Sequence, residues 1–228
     1  MSRITALAVI ALAALTASCA TLPSLEGRTA TTALTDTADT RLGRAVAAGV
    51  TANPGKTGIH TLFNPHEAFA ARALLAAHAE KSLDVQYYIW QGDQVGYLLF
   101  EALLKAAERG VRVRLLLDDI NTGGLDPTIA VLDAHPNLEV RLSNPVTQRG
   151  PRILNFLTDF ERVNRRMHNK SFTVDNQVSI VGGRNIGNEY FRANTDDPDA
   201  TWRDQDVVVR GAVVQDLVTA FDRNFDYF

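Results

Sequence analysis

One cysteine, Cys19, stands in this chain of 228 residues, so no disulfide can form within it. A surplus of positive charge is also missing. Lys and Arg number 23 against 26 Asp and Glu, and the net charge of −3 argues against a dedicated nucleic-acid binder. The N-terminal apolar run, residues 4–17, is fourteen residues long, short of the ~20 that a membrane-crossing helix needs. Asp118 and Asp119 are adjacent, but no third ligand follows at a metal-binding spacing, so neither a metal nor a cofactor is expected. Glycine (15) and proline (8) are too few for a disordered or collagen-like chain. What is present is the composition of a globular protein, with enough length for one sizeable α/β core, or one core plus tails.

Five histidines occur, and only His168 has a lysine two positions on. The run from His168 to Asp175 reads H-x-K-x4-D. On an extended strand, residues two apart share a face, so His168 and Lys170 point the same way. That sets a nucleophile or proton carrier beside a permanent cation, the pair that transfer of a phosphodiester requires. Asp175 has the opposite parity and heads the turn signal Asp175-Asn176, so its expected role is bracing. A second β-run over 177–181 leads into Gly182-Gly183-Arg184-Asn185. Glycines at a strand end let backbone N–H groups approach an anion, and Asn185 can donate to a phosphate oxygen. The plainer alternative is an exposed histidine on an ordinary hairpin followed by a glycine turn.

At these residues the chain resembles the phospholipase D superfamily, and within it the bacterial cardiolipin synthases of the C type. The resemblance extends over residues 61–228 and is carried by LDVQYYIWQGD (83–93), RGVRVRLLLDDINTGGLD (109–126), TDFERVNRRMHNKSFTVD (158–175), VGGRNIGNEYF (181–191) and WRDQDVVVRG (202–211). It implies a ping-pong reaction through a covalent phosphohistidine, with a second histidine as general acid and base. It implies His168 as nucleophile, Lys170, Asn185, Gly183 and Arg184 around the phosphate, and a downstream carboxylate that orients the imidazole. Asp204 is the match for that carboxylate and Asp206 the runner-up. The catalytic set is thus His168, Lys170, Asp175 and Asp204.

There are two departures from the family's pattern. Relatives of this type carry two H-x-K-x4-D motifs, whereas His60, His66, His78 and His135 lack the lysine. Many relatives have serine where this chain has Gly183. The expected partners are membrane phospholipids and a second phospholipase D lobe, either in cis from further sequence or in trans as a homodimer, with no nucleic acid. Three functions follow: the first half of a two-motif phosphatidyl transferase, a homodimeric phosphodiesterase or nuclease, and a non-catalytic truncated lobe.

The expected architecture is a signal over 1–18, a flexible tether over 19–60 with a short helix at 37–48, and a catalytic lobe over 61–228 with its motif region at 162–189. The start resembles a bacterial lipoprotein signal, with Cys19 the lipidated residue of a protein in the cell envelope, facing the periplasm or exterior. The fold class is α/β, a single lobe with a mixed, mostly parallel sheet and helices on both faces. Helices are read at 65–81, 95–108, 125–134 and 213–227, and strands at 82–90, 111–117, 138–142, 170–174, 177–181 and 206–209. The loop 143–157 is a gating candidate. Between Arg149 and Arg192, eight basic residues face four acids, an excess suited to a phosphate-bearing substrate.

Overall fold

The computed structural model describes residues 25–147, 149, 155, 160–193 and 203–228. One seven-stranded sheet organises them, in the order β1-β7-β6-β5-β2-β3-β4. The strands are β1 (Thr57–Leu62), β2 (Ser82–Tyr87), β3 (Arg112–Asp118), β4 (Leu138–Ser143), β5 (Ser171–Val174), β6 (Val178–Gly182) and β7 (Asp206–Gly211). The helices are α1 (Arg41–Ala52), α2 (Pro65–His78), α3 (Gln94–Glu108), α4 (Asp126–Asp133), α5 (Phe160–Val163), α6 (Asn188–Phe191) and α7 (Ala212–Tyr227).

Local chemistry sets the boundaries. Asn64 caps α2 with its side-chain oxygen on the His66 and Glu67 N–H groups, and Pro65 takes the first helical position, where no N–H is needed. Asp93 caps α3 by accepting from Gly96 N. Gly110 follows α3 at φ +91°, a conformation that glycine adopts without steric cost. In the three-residue connection between β5 and β6, Asp175 and Asn176 both sit at φ near +50°, at the centre of a turn closed by Gln177 N donating to Val174 O at 3.0 Å.

Strand parity divides the sheet into two chemically different faces. Leu83, Val85, Tyr87, Val113, Leu115, Leu117, Phe172 and Ile180 join α2 and α3 in the main core. The opposite face meets α7. There Leu116 packs with Phe221 and Phe225, but its neighbours are charged. Arg114 grips Asp84 through two bonds of 2.7 and 2.8 Å and reaches Asp222 at 2.7 Å. Its guanidinium lies 4.9 Å from the Phe221 ring centroid, and that of Arg141 4.1 Å from Phe225. Truncating one partner of such a buried pair typically costs about 3–5 kcal/mol.

Two expectations need correction. The sheet is mixed, with helices on both faces, but it is not mostly parallel. Only β2–β3 and β3–β4 are parallel, and the other four pairings are antiparallel. A strand's own residues do not state its partner's direction, and the hairpin β5–β6 carries antiparallel pairing to both of its neighbours. Nor is the described part of the expected tether free. Thr29, Thr31 and Thr32 offer their carbonyls to Arg141, Arg114 and Arg112. The helix expected at 37–48 is α1, capped by Thr40, and β1 forms the sheet edge against β7. The expected signal, residues 1–18, lies outside the described residues.

Strand direction gathers the chemistry at one end. The C-terminal ends of β1, β2, β3, β4 and β6 and the N-terminal ends of β5 and β7 meet there, with Leu62 and Gly182 both registered on Asp206.

Candidate active site

His168 and Lys170 are delivered to that end by the extended segment entering β5. Lys170 Nζ lies 3.0 Å from His168 Nδ1 and 2.9 Å from the His168 carbonyl oxygen. An ammonium has only donors, so Nδ1 accepts in this arrangement. The imidazole is exposed on one side. On the other, the Tyr88 ring lies 4.5 Å away, tilted by 39°, and Lys170 Nζ is 5.5 Å from the same ring. Tyr88 is the first residue after β2, opposite in parity to the core residue Tyr87. Asn121 Nδ2 holds the Tyr88 carbonyl at 3.0 Å.

Beside β2, the loop leaving β6 is zipped onto the loop leaving β2. Ile186 N donates to Ile89 O at 3.1 Å, and Gln91 N to Ile186 O at 2.9 Å. Asp93 and Asn188 clasp one another's helix starts, with Asn188 N donating to Asp93 Oδ2 and Val95 N to Asn188 Oδ1. This places Asn185 beside the site. Its Oδ1 accepts from Ile89 N at 3.1 Å and its Nδ2 donates to Tyr190 Oη at 3.1 Å. The amide is therefore oriented, and its second N–H has no partner among the described residues.

Asp204 arrives from the approach to β7 and lies over Gly183. Gly183 N donates to Gln205 O at 3.0 Å. Burial pushes the Lys170 ammonium below the ordinary lysine range, and the Asp204 charge opposes that shift. Burial pushes the Tyr190 phenol up, with Glu189, Asp204 and Tyr88 adding to the shift and the Asn185 bond opposing it. His168, Lys170, Asp204, Asn185, Tyr88 and Tyr190 thus form one electrostatic neighbourhood.

Other residues named from the sequence lie elsewhere. Asp175 sits at the far end of β5, fully buried. Its carboxylate accepts from Glu80 N, Lys81 N and Ser82 N, the closest at 2.7 Å. It holds the start of β2 and does not line the site, which corrects its place in the catalytic set. Arg184 is not a phosphate ligand in this structure. Its guanidinium is buried, donating to Leu62 O and Phe63 O and pairing with Asp206. Asp206 in turn binds Arg72 at 2.8 Å, so the runner-up carboxylate is engaged away from His168. Part of the local basic excess is taken up by ion pairs: Arg149 with Asp119 and Asp126, Arg166 with Asp118, and Arg184 with Asp206. The gating candidate at 143–157 falls mostly outside the described residues.

The strand read at 82–90 gave Tyr88 no place in the site, although its ring flanks His168. Period-two alternation from Leu83, Val85 and Tyr87 was the signal that could have separated it. Tyr190 carried no such signal, because its contact with Asn185 depends on the turn at Gly187.

Comparison with known proteins gives a consistent result. A family model described as cardiolipin synthase, PLD-like domain, matches residues 74–225. Cardiolipin synthase C of Escherichia coli (strain K12) is 56% identical over 183 residues, covering 80% of this chain and 38% of that relative. This chain therefore spans less than two fifths of that relative's length. Among solved structures, NucT from Helicobacter pylori superposes with a TM-score of 0.54 at 16% identity, covering 75% of this chain and 96% of that one. A phosphatidylserine synthase of Haemophilus influenzae Rd KW20 superposes with a TM-score of 0.55 at 16% identity, covering 71% of this chain and 35% of the other. At such identity the two structural likenesses concern the fold alone.

Proposed function

The chain belongs to the phospholipase D superfamily, and on that footing we propose that it carries one half of a phosphatidyl-transfer site of the cardiolipin synthase kind. The observation that carries the reading is the contact between the Lys170 ammonium and His168 Nδ1, 3.0 Å apart at the end of the sheet where Asn185 and Asp204 also converge. In the first step the imidazole Nε2 lone pair attacks phosphorus. An N–P bond forms, the P–O bond to the donor alcohol breaks, and that oxygen takes a proton from a general acid. In the second step an acceptor alcohol attacks phosphorus and gives its proton to the same group, now the base. The N–P bond breaks and the lone pair returns to His168.

Lys170 and the second Asn185 N–H stabilise the charge that develops on the equatorial oxygens. With Lys170 donating to Nδ1, a neutral ring keeps its proton on Nε2, the wrong tautomer for this attack. A phosphate oxygen that draws Lys170 away frees Nδ1 to take the proton. Asp204 is the carboxylate that then fixes this tautomer and stabilises the imidazolium. The general acid and base is a second histidine, supplied by a further lobe or by a second copy of the chain. The lipid donor and acceptor belong to the same proposal, as does an envelope anchor through Cys19.

The test is a covalent adduct. The protein is mixed with phosphatidylglycerol labelled in its glycerophosphate and quenched in alkaline detergent, because phosphohistidine survives base and is lost in acid. Acid-labile label on the wild type that is absent in His168→Ala supports the reading. No adduct in the wild type, with a lipid turnover that survives His168→Ala, would sink it. Labelled palmitate incorporation that disappears in Cys19→Ala tests the anchor.

A further inference from the structure

Among the described residues the His168 side chain meets Tyr88 and Lys170, whereas the residues just before it are clamped from behind. The clamp is built where β3 and β4 end side by side, with Asp118 registered on Ser143. Asp118 is fully buried. Its Oδ2 accepts from Met167 N at 2.9 Å, and its Oδ1 from Arg166 Nη1 at 2.9 Å and Ile120 N at 3.1 Å. Asn144, at φ +50°, completes the grip. Its amide nitrogen donates to the Arg165 carbonyl at 2.6 Å, and its Oδ1 accepts from Arg162 at 2.8 Å. The Met167 side chain packs on the cluster of Leu116, Phe221 and Phe225.

In the sequence Asp118 is one of two adjacent carboxylates, with no third ligand at a metal-binding spacing. Its burial and its three donors leave no oxygen facing a substrate. We propose instead that Asp118 is a positioning residue, which fixes the backbone N–H immediately before His168 and so sets the direction in which the imidazole is presented. The proposal rests on the reading of His168 as nucleophile. The physical reasoning is that a carboxylate held in a buried site by three donors cannot swing, whereas the exposed imidazole has few contacts that would orient it. Displacement of a reacting atom by about 1 Å can cost on the order of a hundredfold in rate, so the anchor behind the histidine matters as much as the groups beside it.

The test compares Asp118→Asn, Arg166→Gln and wild type in the full chain. Three quantities are read: kcat and KM on bis(p-nitrophenyl) phosphate, the ring ¹⁵N shifts of His168 across pH, and the urea midpoint. The histidine signal is assigned by its loss in His168→Asn. Asp118→Asn is expected to lower kcat roughly ten- to a hundredfold with KM within about twofold and with the His168 ring signals moved. Arg166→Gln, which keeps the Met167 bond, is expected to fall less. A folded Asp118→Asn with kcat and His168 signals unchanged overturns the proposal, as does a kcat loss that only tracks the fraction unfolded. If Asp118→Asn does not fold, Asn144→Gly replaces it, because glycine accepts the +50° φ and removes the amide. The same signature is expected there, and unchanged kcat and ring signals again overturn the proposal. A wild type inert on the diester is what a missing second histidine gives; the ring signals alone then decide the positioning role, and the covalent adduct decides the reading of His168.

Discussion

Gly183 and Asp204 are fitted to one another: a β-carbon on Gly183 would lie 2.5 Å from Asp204 Oδ1. The glycine and the seating of the carboxylate therefore belong together. Since the clashing atom ends a partly exposed side chain, Gly183→Ala should fold and displace Asp204. The expected result is a urea midpoint close to wild type with kcat on bis(p-nitrophenyl) phosphate lower by roughly tenfold, the scale of a disturbed hydrogen-bonded orienting group. An unchanged kcat would show that Asp204 does not act on the histidine.

The alkaline limb of activity should belong to Lys170. Burial holds this ammonium below the ordinary lysine range, while Asp204 raises it. The charged form binds phosphate, so kcat/KM falls as pH rises through the folded pKa, at a pH below the ~10.4 of a free lysine. Asp204→Asn removes the raising influence and moves the limb to lower pH. Lys170→Arg carries a guanidinium that stays charged, and its profile should lose the limb while its rate drops. A limb unmoved by both substitutions would assign it to another group.

Tyr88 supplies a ring and not a hydroxyl to His168. Tyr88→Phe is expected to keep kcat/KM within about twofold, and Tyr88→Ala to lower it roughly tenfold, on the scale of one aromatic contact. Equal losses in the two variants would mean that the phenol itself is needed.

Two buried carboxylates should report on stability alone. Asp175→Ala leaves the Glu80, Lys81 and Ser82 amides without their acceptor and is expected to cost about 3 kcal/mol. Asp206→Asn weakens its pairing with Arg72 and Arg184, with an expected loss of about 3–5 kcal/mol. Urea unfolding measures both. Activity per folded molecule should hold in Asp175→Asn, and a catalytic loss there would overturn the bracing role.

Local physics made much of this legible beforehand. The helix starts near residues 65 and 95, the hairpin turn at Asp175 and the buried run of β3 are all written in neighbouring residues. So was the pairing of His168 with Lys170, because extended backbone alone puts them on one side. The parallel and antiparallel balance was not, since pairing direction is a property of two distant segments. The Thr- and Ala-rich stretch before β1 read as a tether because its partners, Arg112, Arg114 and Arg141, lie 80 or more residues further on. Arg184 stood in the right place for a phosphate ligand. Only the fold shows it bound to the carbonyls that end β1.

The early attachment at Thr29 has a consequence for reach. If the chain is anchored through Cys19, only residues 20–28 separate the anchor from the first hydrogen bond to the sheet. Fully extended, those nine residues span roughly 30 Å. Thr31 N meets Asp226 near the C-terminal end of α7, which is the end of the sheet that carries His168. Such a leash is too short for a wandering enzyme. It would berth the lobe against the bilayer with its reactive edge on the landward side, so that encounter with a lipid headgroup becomes a search in two dimensions.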